Sequence, residues 1–238
     1  MSKKVVLMMV SVLLSLILVA CGGTAVAPEP APTTPPEPEP VQEEAPAASS
    51  DGVRTFMVDT TQSQASYIVD EEFLADALEK LGINAGTTVV VGTTPDVTGE
   101  IQLDLAAAEP VQAAQFTVDM TGLATDQDRR DNWLGDNAIE TSVFPQATFV
   151  MSSVSGLPGD ITEGAELNFQ LTGDLTVRDV TNSVTFDVTA VLNGDTIQGT
   201  ATLPLNMTDF GITPPDFANT LTVADAFTIE IELVARAG

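Results

Sequence analysis

Residues 184–190 read Val-Thr-Phe-Asp-Val-Thr-Ala, and this alternation of apolar and polar side chains decides the fold class. A period of two is the pattern of a β-strand with one face buried and the other in water. The same alternation recurs in residues 115–120, Gln-Phe-Thr-Val-Asp-Met, and in residues 227–233, Phe-Thr-Ile-Glu-Ile-Glu-Leu. These three segments predict strands whose inward side chains build one core.

Outward from these segments, the remainder of the domain is also strand-like. Seven more candidates are residues 55–58, 65–69, 88–91, 100–105, 147–152, 167–177 and 196–207. Short turns such as Leu157-Pro158-Gly159-Asp160 and Asn193-Gly194-Asp195 separate some of them. Because parallel strands need long crossovers, short turns favour antiparallel pairing in a barrel or a sandwich.

Two segments depart from this alternation. Residues Glu72–Leu81 place Phe73, Ala77 and Leu81 four apart and precede Gly82, which predicts a short amphipathic helix that covers part of the domain. Residues 125–135 begin with capping-type side chains and predict a helical turn at one end of the domain. Whether the first helix gates a cavity stays open.

Charge and composition exclude whole classes of function. The chain carries 8 Lys and Arg against 34 Asp and Glu, a formal net charge of -26. This charge disfavours nucleic acids and anionic lipid surfaces as partners. The absence of His and the single Cys exclude Ser-His-Asp and Cys-His catalytic groups, intrachain disulfides and Cys/His zinc sites. We therefore expect no enzyme activity and no cofactor.

The N-terminus has the pattern of a secretory signal. Lys3 and Lys4 precede an uncharged stretch that ends in Leu18-Val19-Ala20-Cys21. This stretch is shorter than the roughly 20 apolar residues that span a bilayer. The junction resembles a bacterial lipoprotein lipobox, which implies that residues 1–20 are removed and that Cys21 carries a diacylglycerol. We expect an extracytoplasmic protein, in the periplasm or at the cell surface, tethered to the membrane through acylated Cys21.

Residues 21–53 predict a spacer between this anchor and the domain. Within them, Pro28–Pro46 holds eight of the fifteen prolines and five Glu. Such a composition cannot pack a core, and it extends as a semi-rigid polyproline II chain. A proline-rich ligand for a recognition module is the alternative, but no basic residue accompanies the prolines. The folded domain is predicted over residues 54–236.

Six short strings occur in order through this domain: Phe56-Met57-Val58-Asp59 with Ser63 and Ala65; Val97-Thr98-Gly99-Glu100-Ile101; Arg130-Asp131-Asn132-Trp133-Leu134; Phe144-Pro145-Gln146-Ala147-Thr148-Phe149; Gly173-Asp174-Leu175-Thr176-Val177 with Val180-Thr181; and Asp209-Phe210-Gly211-Ile212. The ordered set resembles the YceI-like family of periplasmic lipid-binding proteins, also described as polyisoprenoid-binding lipocalin-like domains. The resemblance implies an eight-stranded antiparallel lipocalin-like β-barrel with short helices at its ends, around an apolar cavity for an isoprenoid or another amphiphilic lipid. Many relatives carry His near the first hairpin and the Arg-Asp string, and this chain has none.

Eight inward apolar side chains are candidates for the lining of such a cavity: Phe116, Val118, Trp133, Phe149, Phe169, Phe186, Phe210 and Phe227. An apolar pocket with few polar groups suits a prenyl or acyl chain. A filled barrel core needs the same inward faces, so the sequence leaves both possibilities open.

Two cations are candidates for contacting a lipid headgroup. Arg130 and Arg178 could each meet a phosphate or carboxylate at the mouth of the barrel. The alternative, which local sequence favours, is an ion pair with the neighbouring Asp131 or Asp179.

Asp126, Asp128 and Asp131 form a cluster of carboxylates of the kind that binds hard cations such as calcium. The segment lacks the Gly and distal Glu of an EF-hand loop, and two Arg lie inside it. We therefore expect no metal site.

These observations favour a membrane-anchored lipid carrier or scavenger. A stalked adhesion or scaffolding module with a filled core is the alternative. An enzyme acting on lipid-like substrates is disfavoured because the chain offers neither His nor a free Cys once Cys21 is acylated.

Overall fold

Each of the ten segments predicted as strands overlaps a strand in the computed structural model, which describes residues 52–73, 86–218 and 220–238. The strands are β1 (Val53–Val58), β2 (Gln64–Phe73), β3 (Gly86–Thr94), β4 (Val97–Asp104), β5 (Val111–Asp119), β6 (Gln146–Ser155), β7 (Glu166–Val177), β8 (Val180–Asn193), β9 (Thr196–Asn206), β10 (Asp216–Phe217) and β11 (Leu221–Ala237). The helical elements are α1 (Asp128–Trp133), a π-helical turn (Leu134–Ala138) and a 3-10 turn (Met207–Phe210). Among the described strands, only the two-residue β10 was not predicted; the 3-10 turn was not predicted either.

Eight of these strands form a closed antiparallel barrel. β1 closes it because one edge pairs with β4 and the other with β11, so that Phe56 lies opposite Ile101 on one side and Ala237 on the other. Around the ring the order is β1, β4, β5, β6, β7, β8, β9 and β11. The predicted all-β, eight-stranded barrel is therefore confirmed, and the sandwich alternative is excluded.

β2 and β3 extend one end of the barrel. The long strand β11 pairs with β2 along residues 221–232 and then with β1 along residues 235–237. β3 pairs with β2, and beyond it a single antiparallel bridge joins Thr93 to Ala124. The segment that follows β5 therefore continues the wall at this end and brings α1 beside β2 and β3.

The two predicted helical segments have different outcomes. The turn over residues 125–135 is confirmed as α1 and the π-helical turn. The predicted start of a helix at Glu72 is wrong, because Glu72 and Phe73 are the last residues of β2 and pair with β3. The alternation of inward and outward side chains continues from Tyr67 to the end of β2. Pairing with β3 keeps Glu72 and Phe73 extended, although the spacing of apolar residues predicts a helix. The rest of the predicted helix lies outside the described residues.

No helix in the described part of the chain is long and apolar enough to cross a membrane.

Apolar side chains pack in two clusters on the inner face. The larger contains Phe149, Phe186 and Phe210, with the rings of Phe149 and Phe186 edge to face at 5.3 Å. The smaller surrounds Phe56 and Ala235, both fully buried where β1 closes the ring. Burial of aromatic rings contributes the largest apolar area per residue, so these clusters hold the wall together.

Gly173 lets one of these rings lie against the wall. A Cβ atom at this position would lie 2.3 Å from the carbonyl oxygen of Val150 and 2.5 Å from Cζ of Phe149. The ring of Phe149 therefore occupies the space that a side chain at residue 173 would need.

We expect Gly173→Ala to lower the free energy of unfolding by about 1 to 3 kcal/mol, because the added methyl group must displace backbone and ring. Urea unfolding followed by circular dichroism measures this. Gly159→Ala is the matched control, since a Cβ there has nothing within 4 Å, and we expect a change within about 0.5 kcal/mol. Equal effects of the two substitutions would contradict the explanation.

Candidate functional site

The barrel encloses a cavity of about 640 Å³ whose wall is almost entirely aliphatic and aromatic. Strand β8 shows how the sequence builds it: Phe186, Val188 and Ala190 line the cavity, while the intervening Asp187 and Thr189 face solvent. The period of two seen in the sequence is therefore the alternation between cavity and water.

Seven of the eight predicted lining side chains lie on the cavity wall: Phe116, Val118, Trp133, Phe149, Phe169, Phe186 and Phe227. Phe210 does not. It ends the 3-10 turn, and Gly211 then adopts a left-handed conformation with φ of 68°. This turn places the Phe210 ring, only 1% exposed, inside the larger apolar cluster.

A buried ion pair lies at the end of the cavity formed by β2 and α1. Glu71 is 4% exposed and lines the cavity. Arg130 donates from Nε and Nη2 to its two carboxylate oxygens at 2.9 and 3.0 Å. This is the bidentate geometry in which Arg and carboxylate interact most strongly. The pair ties β2 to α1 across 59 residues of sequence.

The remaining contacts of Arg130 occupy its other terminal nitrogen. Nη1 donates to Oγ1 of Thr125 at 3.0 Å and to Oδ1 of Asp126 at 2.6 Å. Burial alone lowers the pKa of Arg130, but hydrogen bonds and charge from Glu71 and Asp126 outweigh burial and raise its pKa. The predicted pairing with Asp131 is wrong, since Asp131 instead accepts hydrogen bonds from Thr125.

Of the three carboxylates clustered in residues 126–131, Asp126 thus accepts from Arg130 and Asp131 from Thr125. Among the residues that the structure describes, no three His, Cys, Asp or Glu side chains are grouped so that they could hold a metal ion.

Arg178 lies away from the cavity, in the turn between β7 and β8. The predicted ion pair between Arg178 and Asp179 is wrong, because the guanidinium pairs with Glu140. It also lies 5.6 Å from the ring centre of Phe144. Arg178 and Glu140 both have positive φ, near 58° and 57°. Arg178 thus fixes the segment between α1 and β6 against this hairpin.

Tyr67, the single Tyr of the chain, also lines the cavity. Its ring lies across Gly92 on β3, where a Cβ atom would be 2.2 Å from Cε1. Burial raises the pKa of Tyr67 to about 12, and the charge of Arg130 opposes this while those of Asp131 and Glu71 add to it. The hydroxyl therefore stays protonated at neutral pH and lies near the ion pair.

Trp133, the single Trp, lies on the wall close to the same end. It packs edge to face on Phe217 of β10, with ring centres 5.1 Å apart. Phe217 lines the cavity and is also 41% exposed, so the cavity approaches the surface beside these rings.

Sequence comparison identifies the family. Residues 56–235 match the model of the YceI-like domain. The chain belongs to the YceI-like family. UPF0312 proteins from two strains of Pseudomonas putida are 31% identical to it over 160 residues, which are 63% of this chain and 78% of each relative.

Solved structures share the fold. BcnA of Burkholderia cenocepacia aligns with a TM-score of 0.54 at 21% identity, over 74% of this chain and 98% of BcnA. A polyisoprenoid binding domain from Saccharophagus degradans, implicated in plant cell wall breakdown, aligns with a TM-score of 0.53 at 14% identity, over 77% and 98% of the two chains. At these identities the likeness shows the fold alone.

The polar end of this YceI-like barrel is therefore built without His, from Tyr67, Glu71 and Arg130. Sequence reasoning missed Tyr67 and Glu71 as site residues. Their position in the alternation of β2 could have identified them. Every second residue of this strand faces inward, namely Ala65, Tyr67, Val69 and Glu71.

We expect Glu71→Ala to destabilise this YceI-like domain by about 3 kcal/mol, because it leaves the largely buried Arg130 without its main partner. The double variant Glu71→Leu/Arg130→Met should regain most of that loss, since no unpaired charge remains. Urea unfolding of all variants measures both. Asp195→Ala, which breaks the exposed Arg54–Asp195 pair, is the control, with an expected change below about 1 kcal/mol. A Glu71→Ala effect no larger than the control's would contradict this account.

Proposed function

We propose that this protein is a membrane-anchored, extracytoplasmic lipid carrier or scavenger that holds an isoprenoid or similar amphiphilic chain in its barrel. The observation that carries the proposal is the apolar cavity of about 640 Å³. Ligand pockets in proteins commonly measure roughly 300 to 1,000 Å³. A filled-core adhesion module, the alternative, is not favoured by a cavity of this size.

The cavity volume limits the ligand. A cavity of roughly 150 Å³ takes one benzene molecule, so 640 Å³ takes on the order of four such groups, a chain of roughly 20 to 25 carbons. Each buried methylene contributes about 0.8 kcal/mol, or roughly a fourfold gain in affinity. Affinity for a homologous series should rise with chain length until the cavity is full.

The comparison with the Saccharophagus degradans domain supports this choice of ligand, because that domain is described as binding polyisoprenoids. Holding a ligand by apolar burial needs no catalytic group. The absence of His from the sequence is consistent with carriage rather than catalysis.

The binding test uses phytol, a branched isoprenoid alcohol, delivered from cyclodextrin. We expect phytol to change the fluorescence of Trp133 and to appear as a one-to-one adduct in native mass spectrometry. Ala201→Phe should weaken binding at least about tenfold, because the added ring takes space from the ligand and removes the burial of at least about two of its methylenes. Ala201 lines the cavity.

The control is Gln198→Phe, which adds the same ring to an exposed position of the same strand and should bind phytol as the unmodified protein does. Failure of the unmodified protein to bind phytol by either measurement would overturn the proposed function.

The anchor is a separate part of the proposal. We infer that residues 1–20 are cleaved, that Cys21 is acylated and that residues 21–53 act as a spacer. The support is the run Leu18-Val19-Ala20-Cys21 after an uncharged segment, followed by the proline-rich and glutamate-rich stretch.

We expect the full chain, expressed in a bacterial host, to carry a diacylglycerol on Cys21 and to partition into the detergent phase. Cys21→Ser should lose this mass and move to the aqueous phase, because Cys21 is the only thiol in the chain. The double variant Cys21→Ser/Ser50→Cys restores a thiol at another position and should stay unacylated. Acylation of the double variant, or none in the unmodified chain, would contradict the lipobox assignment.

A further inference from the structure

The hydroxyl of Tyr67 is a polar group in an apolar cavity with no protein partner. Among the described residues, no hydrogen bond involves it. Tyr hydroxyls that are removed from water usually find a partner. The nearby Glu71 accepts from Arg130 through both carboxylate oxygens, and no hydrogen bond joins it to Tyr67.

The position of this hydroxyl is fixed by the sheet. Tyr67 pairs with Gly92 on β3 and with Ile229 on β11. A Cβ atom at Gly92 would lie 2.6 Å from Cζ and 2.8 Å from the hydroxyl oxygen of Tyr67. The ring therefore rests on the bare backbone of residue 92 and presents its hydroxyl at a set point on the wall.

The charges that act on the Tyr67 hydroxyl are those of Glu71 and Asp131, which are negative, and that of Arg130, which is positive. Arg129 also lines the cavity but is not among the charges that act on this hydroxyl. Arg130 is held on all three of its nitrogens by Glu71, Thr125 and Asp126. A carboxylate or phosphate at the Tyr67 hydroxyl would meet two carboxylates and a guanidinium that is already bonded, whereas an uncharged oxygen would meet no such repulsion.

We propose that the Tyr67 hydroxyl hydrogen-bonds an uncharged oxygen, a hydroxyl or carbonyl, at the polar end of the bound chain. On this view Tyr67 is the specificity-determining residue of the cavity. It selects neutral oxygen-bearing isoprenoids over pure hydrocarbons and over lipid carboxylates or phosphates. The inference rests on the proposed lipid-binding function and names the headgroup class that the barrel takes.

The protonation state of Tyr67 agrees with this role. With a pKa raised to about 12 by burial, the phenol is neutral at any physiological pH. A neutral phenol can donate to a carbonyl and can both donate to and accept from a hydroxyl. It forms no ion pair with a cationic or anionic head.

The test compares three probes that share one branched chain and differ at the head: phytol, the hydrocarbon phytane and phytanic acid. Each is delivered from cyclodextrin at pH 8 to the full chain, and Trp133 fluorescence gives the affinity. We expect Tyr67→Phe to weaken phytol roughly 3- to 10-fold, the size of one hydrogen bond, and to leave phytane unchanged. The substitution keeps the ring on Gly92 and removes only the hydroxyl.

Two further variants distinguish the effect of the Tyr67 hydroxyl on binding from the effect of the apolar cavity wall. Phe169→Leu alters the wall and should weaken phytol and phytane by the same factor. Gly92→Ala keeps the hydroxyl but displaces the Tyr67 ring, so it should reduce the preference for phytol over phytane as Tyr67→Phe does.

Three results would overturn the inference: equal weakening of phytol and phytane by Tyr67→Phe, no effect on phytol, or tighter binding of phytanic acid than of phytol by the unmodified protein. Absence of binding of all three probes to the unmodified protein is a different result. It overturns the proposed function itself, and this inference with it.

Discussion

Closure of the ring by β1 is the constraint on which the rest of the structure depends. Its residues 53–57 pair with β4 on one edge, and its residues 56–58 pair with β11 on the other. A closed sheet has an inside and an outside along its whole circumference, so every alternating strand must place one set of side chains inward. Phe56 and Ala235, both 0% exposed, lie at this junction, and without it the apolar faces would open to water.

Closure alone does not explain why the barrel is hollow, since eight strands leave only enough width for packed side chains or one slender ligand. The decisive feature is the placement of glycine on the inner face. Gly92 and Gly173 let the rings of Tyr67 and Phe149 lie flat on the wall instead of projecting into the centre. Gly199 lines the cavity directly, with the backbone of β8 close behind it. Small inward residues thus leave empty the space that larger side chains would fill in a packed core.

The sequence predicted those features that depend on local periodicity. Strand positions, the helical turn at α1 and seven of the eight lining side chains follow from alternation and capping patterns. Contacts between residues that are far apart in the sequence could not be predicted from local patterns. The partner of Arg130 is Glu71, 59 positions away, and no local pattern joins them. Phe210 was misplaced because the turn ending at Gly211 interrupts the alternation, and Glu72 was misassigned because pairing with β3 prevails over helical spacing.

The cavity has two kinds of surface, which contribute differently to binding. The apolar wall supplies affinity without direction, because burial depends on area and hardly on orientation. The end bounded by β2 and α1 supplies direction, because its groups are fixed: Glu71 and Arg130 neutralise each other, and the Tyr67 ring rests on Gly92. A neutralised ion pair stabilises the junction of β2 and α1 without attracting a charged ligand. This arrangement is consistent with the proposed function, in which the cavity takes up a long neutral chain and releases it, since strong headgroup pairing would slow release.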